Sequence, residues 1–423
     1  YQGGENGHFE SLFFFFNEHK SMKPTIELPS YPKEIEDWWW NQTVQKWPEL
    51  SEEKILNLIR KEILIQSDRF NKSRSFDPQA YGSRELSLLT YGNFFFPRTW
   101  KAMTLALSEA YHFRLWEKSN KGPIRILDIG SGSGASGLSA LSFLRKLNIE
   151  NSISLESWDY SGKSLAFQKN LHRACYPLWP ESEIKTKRTD LRYNLPKPSK
   201  QRYDLILLGY SINEVLQDTE ANEYRDWIRE IIGLLAPSGF VLIVEPAEKN
   251  LCDQLHKNTA FLSSVEKDLH IESPYFNGNQ CPFFSGKTNY YSHEVRKIYP
   301  SQRIEEINKP LGLEMREVKF GLSIIGKKPP RSFPKNFSFC RLVSPVRKKK
   351  GTISFIGIAS DGLEYGYELQ RRSLSTDETK RLLNMERGDI IKIVKGESGK
   401  DPKRIRIHSY NSLSLQFAPR WEK

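Results

Sequence analysis

Short apolar runs alternate with amphipathic stretches through the middle of the chain. Four apolar runs predict buried strands: residues 124–129, 152–158, 203–209 and 239–244. Three stretches have apolar residues at helical spacing: residues 135–147, 162–175 and 220–235. Two further runs, 312–318 and 321–326, predict a hairpin that closes the sheet edge. Such alternation is typical of an α/β domain with a mostly parallel sheet and helices on both faces.

The regions on either side follow other patterns. Residues 50–66 have the spacing of an amphipathic helix, with Ser51 as its N-cap. Upstream, the triplet Trp38, Trp39 and Trp40 predicts packing against the next domain, with base stacking on RNA as the alternative. Toward the other end of the chain, short β-rich runs separated by polar turns predict a small barrel or sandwich.

These patterns divide the 423 residues into three parts, as the length itself favours. Residues 1–80 form a helical N-terminal region. Residues 81–330 form the α/β domain, which contains an aromatic- and polar-rich insertion at 246–310. Residues 331–423 form a β-rich C-terminal domain.

The net charge of +12 is concentrated in the C-terminal domain. Residues 331–423 contain 20 Lys and Arg against 10 Asp and Glu, which leaves a surplus of only 2 for the first 330 residues. The densest run is Arg347, Lys348, Lys349 and Lys350, just before residues 352–359. Basic residues clustered on a small β domain suit phosphate contacts, so we interpret this run as an RNA-binding site, with a merely solvated surface as the alternative.

The cysteines and the apolar runs bear on the compartment. Four cysteines without a CxxC pair indicate free thiols in a reducing compartment. No apolar run has the length of a membrane-spanning helix, and the run at residues 12–16 is too short for a signal peptide, so we expect no membrane partner. The expected location is the bacterial cytoplasm, with the mitochondrial matrix as the alternative.

A glycine-rich loop follows the first predicted strand, in ILDIGSGSGASG. Gly130, Gly132 and Gly134 allow a tight backbone turn, and the helix after them offers its N-terminus to a ligand. The loop fits two cofactor classes, because Gly130, Gly132 and Ala135 also match the dinucleotide-binding fingerprint.

Three acidic residues favour S-adenosylmethionine (SAM) over a dinucleotide. Asp128 lies two residues before the first glycine, where its carboxylate would face the cofactor's amino group. Asp159 ends the second strand, where a carboxylate accepts both ribose hydroxyls. Asp190 falls where the third strand should end, near the adenine amino group. Asp128 or Asp190 alone could be a turn or cap residue, but their order predicts a class I SAM-dependent methyltransferase fold with a Rossmann-like sheet.

Asn213 and Glu214 are the candidate catalytic residues. They follow the fourth predicted strand in GYSINE, at the carboxyl end of a parallel strand, where the sites of such sheets lie. Glu245 occupies the equivalent position on the next strand. The alternative for Asn213 and Glu214 is a helix cap and a first-turn acid.

The sequence resembles the methyltransferase-like assembly factors of the small ribosomal subunit, which occur in mitochondria and in some bacteria. The similarity extends from about residue 91 to about residue 410 and is carried by these motifs: YGNFFFPRTWKAM, ILDIGSGSG, YDLILLGYSINEV, VEPAEK, SPYFNGNQCP, FGLSIIGKKPP and RLVSPVRKKKGTISF. The resemblance implies a SAM site at Asp128, Gly130, Gly132, Gly134 and Asp159. It also implies binding to ribosomal RNA during maturation of the small subunit.

The insertion departs from the family pattern, in which cysteines bind an iron–sulfur cluster. Tyr275 and Ser292 stand at two of the cysteine positions, Cys281 is kept, and the fourth position, near Ile358 and Ala359, is apolar. A cluster needs about four ligands, so we expect neither an iron–sulfur cluster nor another metal. We expect an aromatic core in its place: Tyr275, Phe276, Phe283, Phe284, Tyr290 and Tyr291.

Several functions therefore stay open. The first is a SAM-binding, methyltransferase-like protein that acts on the small ribosomal subunit, either by methylating ribosomal RNA or as an assembly factor. The second is a small-molecule SAM-dependent methyltransferase without RNA binding, which predicts a closed acceptor pocket. A nicotinamide-dependent oxidoreductase is supported by the glycine loop alone.

Overall fold

The computed structural model describes residues 22–68, 84–117, 122–193, 202–217, 219–285, 290–313 and 315–422. Within the described residues, the N-terminal part contains one strand and four helices: β1 (Ile26–Leu28), α1 (Lys33–Lys46), α2 (Glu52–Asp68), α3 (Glu85–Thr90) and α4 (Phe96–Ser108). A π-helical segment, Tyr91–Phe95, joins α3 to α4, and a second, Glu109–Phe113, follows α4. The predicted domain boundary near residue 80 and the run at residues 12–16 lie outside the described residues.

The central sheet has the strand order β4-β3-β2-β5-β6-β9-β7, with β8 paired to β9. Its strands are β2 (Ile124–Ile129), β3 (Ile153–Asp159), β4 (Ser182–Arg188), β5 (Tyr203–Gly209), β6 (Leu235–Pro246), β7 (His270–Ser273), β8 (Glu294–Lys297) and β9 (Glu317–Gly326). The strands from β4 to β6 are parallel, whereas β9 runs antiparallel to both β6 and β7.

Helices cover both faces of this sheet. The helices that follow α4 are α5 (Ala135–Lys146), α6 (Gly162–Ala174), α7 (Ile212–Val215), α8 (Ala221–Gly233), α9 (Lys249–Val265) and α10 (Gln302–Asn308). Of these, α10 packs against the N-terminal helices, and α4 packs on β6 and β9 of the sheet. Successive side chains of β5 point to opposite faces, so Leu205 and Leu207 pack with α5 in one core while Ile206 and Leu208 pack with α8 in another. Among the described helices, none is long and apolar enough to cross a membrane.

This strand order, with five parallel strands and an antiparallel strand inserted between β6 and β7, is that of the class I SAM-dependent methyltransferase fold. The prediction of a Rossmann-like α/β methyltransferase domain is therefore confirmed. The predicted strands at 124–129 and 203–209 match β2 and β5 residue for residue.

The hairpin predicted at residues 312–326 is wrong, because β9 is one continuous strand of 10 residues. Gly321 lies inside it and pairs with Glu245 of β6. A Cβ atom at Gly321 would lie 2.8 Å from Cys252 Sγ of α9, so this glycine allows a helix to approach closely instead of forming a turn. Gly312 has a φ of +62° and belongs to the connection that follows α10.

The tryptophan triplet packs inside the protein, as the first interpretation expects. The ring of Trp39 is fully buried and stacks on Phe167 of α6, with a centroid distance of 5.5 Å. Trp38 meets the same ring edge to face, and the Arg303 guanidinium lies 4.1 Å from the Trp40 ring. These contacts fix the N-terminal helices against the central domain.

The C-terminal part forms a second sheet with the order β15-β16-β13-β12-β10-β14-β17, and β11 pairs with β12. Its elements are β10 (Phe339–Leu342), β11 (Arg347–Lys348), β12 (Thr352–Ala359), β13 (Glu364–Gln370), α11 (Thr376–Leu383), β14 (Ile390–Ile393), β15 (Gly396–Ser398), β16 (Arg404–Ile407) and β17 (Leu413–Phe417). Apolar side chains from β10, β12, β13, β14, β16 and β17 meet with Leu382 of α11 in one core, so the described strands form one sheet around a single core and not two facing sheets. The last strand, β18 (Pro419–Trp421), pairs in parallel with β1.

A buried series of alternating charges joins the central domain, the insertion and the C-terminal sheet. The Arg341 guanidinium of β10 donates to both carboxylate oxygens of Glu109, at 2.8 and 2.9 Å, and to Glu294 Oε1 of β8 at 3.0 Å. Arg296, next along β8, donates to Asp389 Oδ1 at 2.5 Å. All five side chains are buried, so the two sheets are held in one relative position.

Candidate cofactor-binding site

A cavity of about 340 Å³ opens at the carboxyl ends of β2, β3 and β5. Ligands of open α/β sheets bind at this edge, where the strand order reverses. The glycine loop forms one wall, the segments after β3 and β4 form the next, and the loop after β5 faces them across the opening. The π-helical segment and the start of α4 contribute Tyr91, Phe95, Arg98 and Thr99.

The glycine loop needs its glycines because of backbone conformation and space. Gly130, Gly132 and Gly134 have φ values of +66°, +52° and +90°, in the left-handed region. A Cβ atom at Gly130 would lie 2.4 Å from the Cβ of Ser211. At Gly132 a Cβ atom would meet no protein atom within 4 Å, because this residue faces the cavity. The loop therefore presents bare backbone to a ligand.

Asp159 lies in the cavity wall, at the end of β3. Its Oδ2 accepts from the Gly132 N–H at 2.8 Å, and its Oδ1 accepts from the Ser161 N–H at 2.7 Å. Burial raises the pKa of this carboxyl to about 6. Each oxygen keeps a further lone pair, so the carboxylate can still accept from ligand hydroxyls.

Of the predicted set, Gly134 and Asp128 do not lie in the cavity wall. Asp128 instead bonds the start of α5. Its Oδ2 accepts from the Gly137 N–H, in the first turn of α5, at 2.7 Å. The other oxygen is buried and has no hydrogen-bond partner among the described residues. Burial raises the pKa of the carboxyl to about 7. The visible role of Asp128 is therefore to hold α5 behind the loop, and its contact with a cofactor amino group stays a prediction.

Asp190 lines the cavity, two residues beyond the end of β4. Its carboxylate is held by Arg192, whose Nη2 lies 2.6 Å from Oδ2 and whose Nε lies 3.0 Å from Oδ1. These hydrogen bonds lower the pKa of Asp190 below its usual value. A ligand amino group at this position would share the carboxylate with Arg192.

The loop after β5 is shaped by Glu245. The Glu245 carboxylate accepts from the N–H groups of Ile212 at 3.0 Å and Asn213 at 3.1 Å, and burial raises its pKa to about 8. With its amide nitrogen facing the acceptors, Asn213 donates to Tyr210 O at 3.1 Å and to Glu245 Oε2 at 2.9 Å. Asn213 therefore lines the cavity but also fixes the loop that carries it.

Glu214 is the second predicted catalytic residue, and it also lines the cavity. Burial, and then the nearby charge of Asp159, raise the pKa of its carboxyl to about 8. A carboxyl with a pKa near neutral can take up or release a proton at the operating pH. Its place in the first turn of α7 agrees with the cap alternative as well, and the two roles are compatible.

Many cavity residues are not singled out by the sequence reasoning, and three of them are polar residues close to the loop after β5 or the start of α4. Tyr210 has a φ of +60°, a strained conformation for a bulky residue, and burial raises its pKa above its usual value. Arg98 reaches the cavity from the first turn of α4, and Ser211 from the loop after β5. The signal for Tyr210 and Ser211 was their position directly after the strand. Arg98 had no such signal, because α4 precedes the sheet.

Three buried serine hydroxyls around the loop, those of Ser131, Ser133 and Ser211, have no hydrogen-bond partner among the described residues. Of these residues, Ser131 and Ser211 line the cavity. Buried polar groups are normally paired, so both hydroxyls are available to bond a ligand group or a water. SAM supplies a carboxylate for hydroxyl donors, hydroxyls for Asp159 and a sulfonium cation that ionised acids stabilise. The residues fit this cofactor.

The dinucleotide alternative fits the sheet less well. Dinucleotide-binding folds of the Rossmann type use a parallel sheet built from two similar halves. Here β9 is antiparallel and lies between β6 and β7, so the second half is not a repeat of the first.

The basic run lies on the C-terminal sheet and not at the cavity. Arg347 and Lys348 form β11, and all four side chains of the run are exposed. The Arg371 N–H donates to Gly351 O at 2.8 Å, which places Arg371 and Arg372 beside the same turn. We call this set the basic hairpin: Arg347, Lys348, Lys349, Lys350, Arg371 and Arg372.

The four positions that the family resemblance assigns to an iron–sulfur cluster lie together. Tyr275 Oη is 3.3 Å from Cys281 Sγ and also bonds the Ser292 side chain. Ile358 packs into the same buried cluster, with Phe283. One thiol, a phenol, a hydroxyl and an alkyl group do not fit the ligand set of a cluster.

The expected aromatic core at this point is smaller than predicted. Tyr275 and Phe283 belong to it, but Phe276 packs in a separate cluster with Phe113 and Phe333. The side chain of Tyr290 is exposed. Tyr291 is partly buried, and its hydroxyl donates to Ala247 O at 2.8 Å. The side chain of Phe284 lies outside the described part of the structure.

No protein-family model and no curated protein matches this sequence. Several solved structures are similar in fold. An O-methyltransferase family protein from Burkholderia thailandensis is 14% identical, over 66% of this chain and 72% of the other, with a TM-score of 0.34. The Podospora anserina methyltransferase PaMTH1 is 15% identical, over 51% of this chain and 81% of the other, with a TM-score of 0.25. TrmN from Thermus thermophilus is 17% identical, over 55% of this chain and 52% of the other, with a TM-score of 0.30. These identities and TM-scores carry no argument about a substrate or partner, and the fold assignment rests on the strand order.

Proposed function

We propose that this protein binds SAM in the cavity and acts on the small ribosomal subunit, as a ribosomal RNA methyltransferase or as an assembly factor. The observation that carries the cofactor is the chemistry of the cavity wall. Bare loop backbone, two unpartnered serine hydroxyls and the carboxyls of Asp159 and Glu214 surround one space. The Asp159 carboxylate can accept from ribose hydroxyls, and ionised carboxyls stabilise the sulfonium cation of SAM.

Methyl transfer from SAM does not require the protein to form a covalent bond with the substrate. SAM, when bound, supplies an electrophilic methyl group on a sulfonium that leaves as a neutral thioether. The chain's own task is to align an acceptor atom and to accept the proton that the acceptor loses. In the proposed reaction Glu214, in its ionised form, takes that proton, while Glu245 and Asn213 hold the loop from which it projects.

Two observations support ribosomal RNA as the partner. The basic hairpin gathers six exposed or partly exposed cations around one turn of the C-terminal sheet, which suits phosphate contacts. The similarity to small-subunit assembly factors extends through the same segment, RLVSPVRKKKGTISF. The proposed compartment follows from this partner: the bacterial cytoplasm, or alternatively the mitochondrial matrix.

The first experiment incubates the protein with methyl-labelled SAM and immature small subunits, next to the Asp159→Ala variant. Label in ribosomal RNA that disappears with the variant would identify a methyltransferase and allow its target nucleotide to be mapped. SAM binding and co-sedimentation with the particle, without label, would identify an assembly factor. Absence of both SAM binding and co-sedimentation would overturn the proposal, and transfer to a small molecule alone would favour the second function class.

A further inference from the structure

The outer edge of the central sheet carries a second basic surface. Residues 162–192 contain seven Lys and Arg against three Asp and Glu, a surplus of four, although the first 330 residues have a surplus of only two. All seven cations have exposed side chains. We call this set the basic edge: Lys163, Lys169, Arg173, Lys185, Lys187, Arg188 and Arg192.

The basic edge runs the length of the sheet and ends at the cavity. The helix α6 and the edge strand β4 lie side by side in opposite directions, because His172 Nε2 is 2.9 Å from Ser182 Oγ at one end and Gly162 packs near Arg188 at the other. An open groove lined by Lys169, Arg173 and Tyr176 lies at the first end. At the second end, Arg192 belongs to the cavity wall.

Exposed aromatic rings accompany these cations. Tyr176, beside the groove, is 43% exposed, and Tyr193, beside the cavity, is 78% exposed. The Arg192 guanidinium lies 5.2 Å from the Tyr193 ring, and Lys187 Nζ lies 4.8 Å from the ring of Trp158. Single-stranded nucleic acid is usually bound by a row of cations that contact its phosphate backbone and by aromatic rings on which its bases stack.

A purely structural explanation accounts for part of this surface only. Lysines on an edge strand prevent that strand from pairing with another chain, which would explain Lys185 and Lys187 of β4. It explains neither the cations of α6 nor the exposed tyrosines at the two ends, since none of these lies on the strand.

We propose that the basic edge binds a single-stranded segment of RNA and leads it to the cavity. The proposal rests on the proposed function in one respect, that RNA is the partner. It assigns the RNA two separate contacts with the protein: the basic hairpin on the C-terminal sheet, and the basic edge on the domain that holds the cofactor site.

The test compares four proteins for binding of a fluorescein-labelled single-stranded RNA of roughly 30 nucleotides, long enough to span several contacts. They are the wild type, an edge variant (Lys169→Gln, Arg173→Gln, Lys187→Gln), a hairpin variant (Lys348→Gln, Lys349→Gln, Lys350→Gln) and a control variant (Lys54→Gln, Lys257→Gln, Lys309→Gln). The control loses the same charge from exposed positions on other elements. Binding of S-adenosylhomocysteine by all four reports an intact cavity.

The edge variant should bind RNA at least about tenfold more weakly at physiological salt. The slope of log K against log salt should fall by about 2, because each lost phosphate contact in a single strand removes roughly 0.7. Tyr193→Ala should weaken binding by about tenfold and Tyr193→Phe should not, because only the ring is needed for stacking.

Each other outcome has a distinct meaning. If the edge variant binds RNA as tightly as the control and only the hairpin variant binds it more weakly, the basic edge is not an RNA-binding surface. The proposed function would then still stand. If the edge variant keeps its RNA affinity but self-associates, the lysines of β4 serve to prevent this edge strand from pairing with another chain. A wild type without RNA affinity would overturn the RNA part of the proposed function and this inference together.

Discussion

At the scale of single residues, the carboxyls of the cavity predict how cofactor affinity depends on pH. The pKa of Asp159 is raised to about 6 and that of Glu214 to about 8, so both are neutral in acid. SAM carries a net positive charge and is held more strongly by ionised carboxylates. Its affinity should therefore rise as the pH increases, first through about 6 and then through about 8.

Calorimetric titration between about pH 5 and pH 9 measures this dependence. Glu214→Gln should abolish the upper rise and keep the lower one. S-adenosylhomocysteine lacks the sulfonium charge and serves as the matched ligand, with a much flatter profile expected. Equal profiles for the two ligands would contradict the assignment of these carboxyls to the cation.

Asp128 gives a second prediction at this scale, for stability. Its folded-state pKa of about 7 lies above the usual value of 3.8, so the folded protein holds a proton that the unfolded chain releases. Because the unfolded chain ionises while the folded carboxyl stays protonated, the free energy of unfolding falls as the pH rises from about 4 to about 7 and then levels off. Asp128→Asn keeps an acceptor for the Gly137 N–H but has no charge to bury.

The Asp128→Asn variant should be more stable than the wild type at about pH 8, by a few kcal/mol at most, and similar to it at about pH 4. Urea unfolding at the two pH values measures the difference. A variant that is less stable at both pH values would show that the ionised carboxylate is used by a partner, and would argue against a purely structural role.

At the scale of elements, the sequence predicts those strands and helices whose ends are marked by a local pattern of apolar residues and glycines. The strands β2 and β5 and the start of α5 at Ala135 were predicted to the residue, because apolar runs and glycines mark their ends. The strand β9 was not, because a glycine that packs against Cys252 looks the same in sequence as a glycine in a turn. The direction of the Asp128 side chain and the approach of Arg98 to the cavity depend on tertiary packing, which no local pattern records.

The packing around Tyr275 predicts how much this residue contributes to the stability of the insertion. Tyr275 is buried among Cys281, Phe283 and Ile358, and its hydroxyl bonds Cys281 and Ser292. Tyr275→Ala should lower the free energy of unfolding by about 3–5 kcal/mol, because it leaves a large cavity. Tyr275→Phe removes only the hydroxyl's bonds and should cost about 1 kcal/mol.

Thermal unfolding with and without an iron chelator completes this test. The melting temperature of the wild type should not change on chelation, because the donor set does not fit a cluster. A large drop, together with a mild effect of Tyr275→Ala, would show that a bound metal and not the aromatic packing holds the insertion.

At the scale of the whole molecule, the buried series of charges decides whether the two sheets act as one body. Arg341 lies between Glu109 of the central domain and Glu294 of the insertion, and all three are buried. A buried ion pair adds little stability over an apolar packing, but removal of one partner leaves a charge that is neither solvated nor paired. Arg341 is therefore the residue at which the union of the domains is most easily tested.

Arg341→Met should destabilise the protein by about 3–5 kcal/mol at neutral pH, because two buried carboxylates lose their closest cation and keep only Arg114 and Arg296, each at 3.4 Å. Burial alone would raise the pKa of Glu109, but Arg341 and Arg114 bring it to about 2, below the usual 4.5. In the wild type this contribution to stability is present above about pH 4.5 and is lost as the pH falls through about 2. The variant's Glu109 is protonated more easily, so the difference between the two proteins should shrink in acid.

Urea unfolding at about pH 7 and about pH 3 measures this change, with Arg341→Met/Glu109→Gln as the matched double variant. The double variant should recover part of the lost stability at neutral pH, since it removes one of the two carboxylates that have lost Arg341. A loss that is the same at both pH values, and unchanged in the double variant, would attribute the effect of Arg341 to packing and would leave the electrostatic union of the two sheets without support.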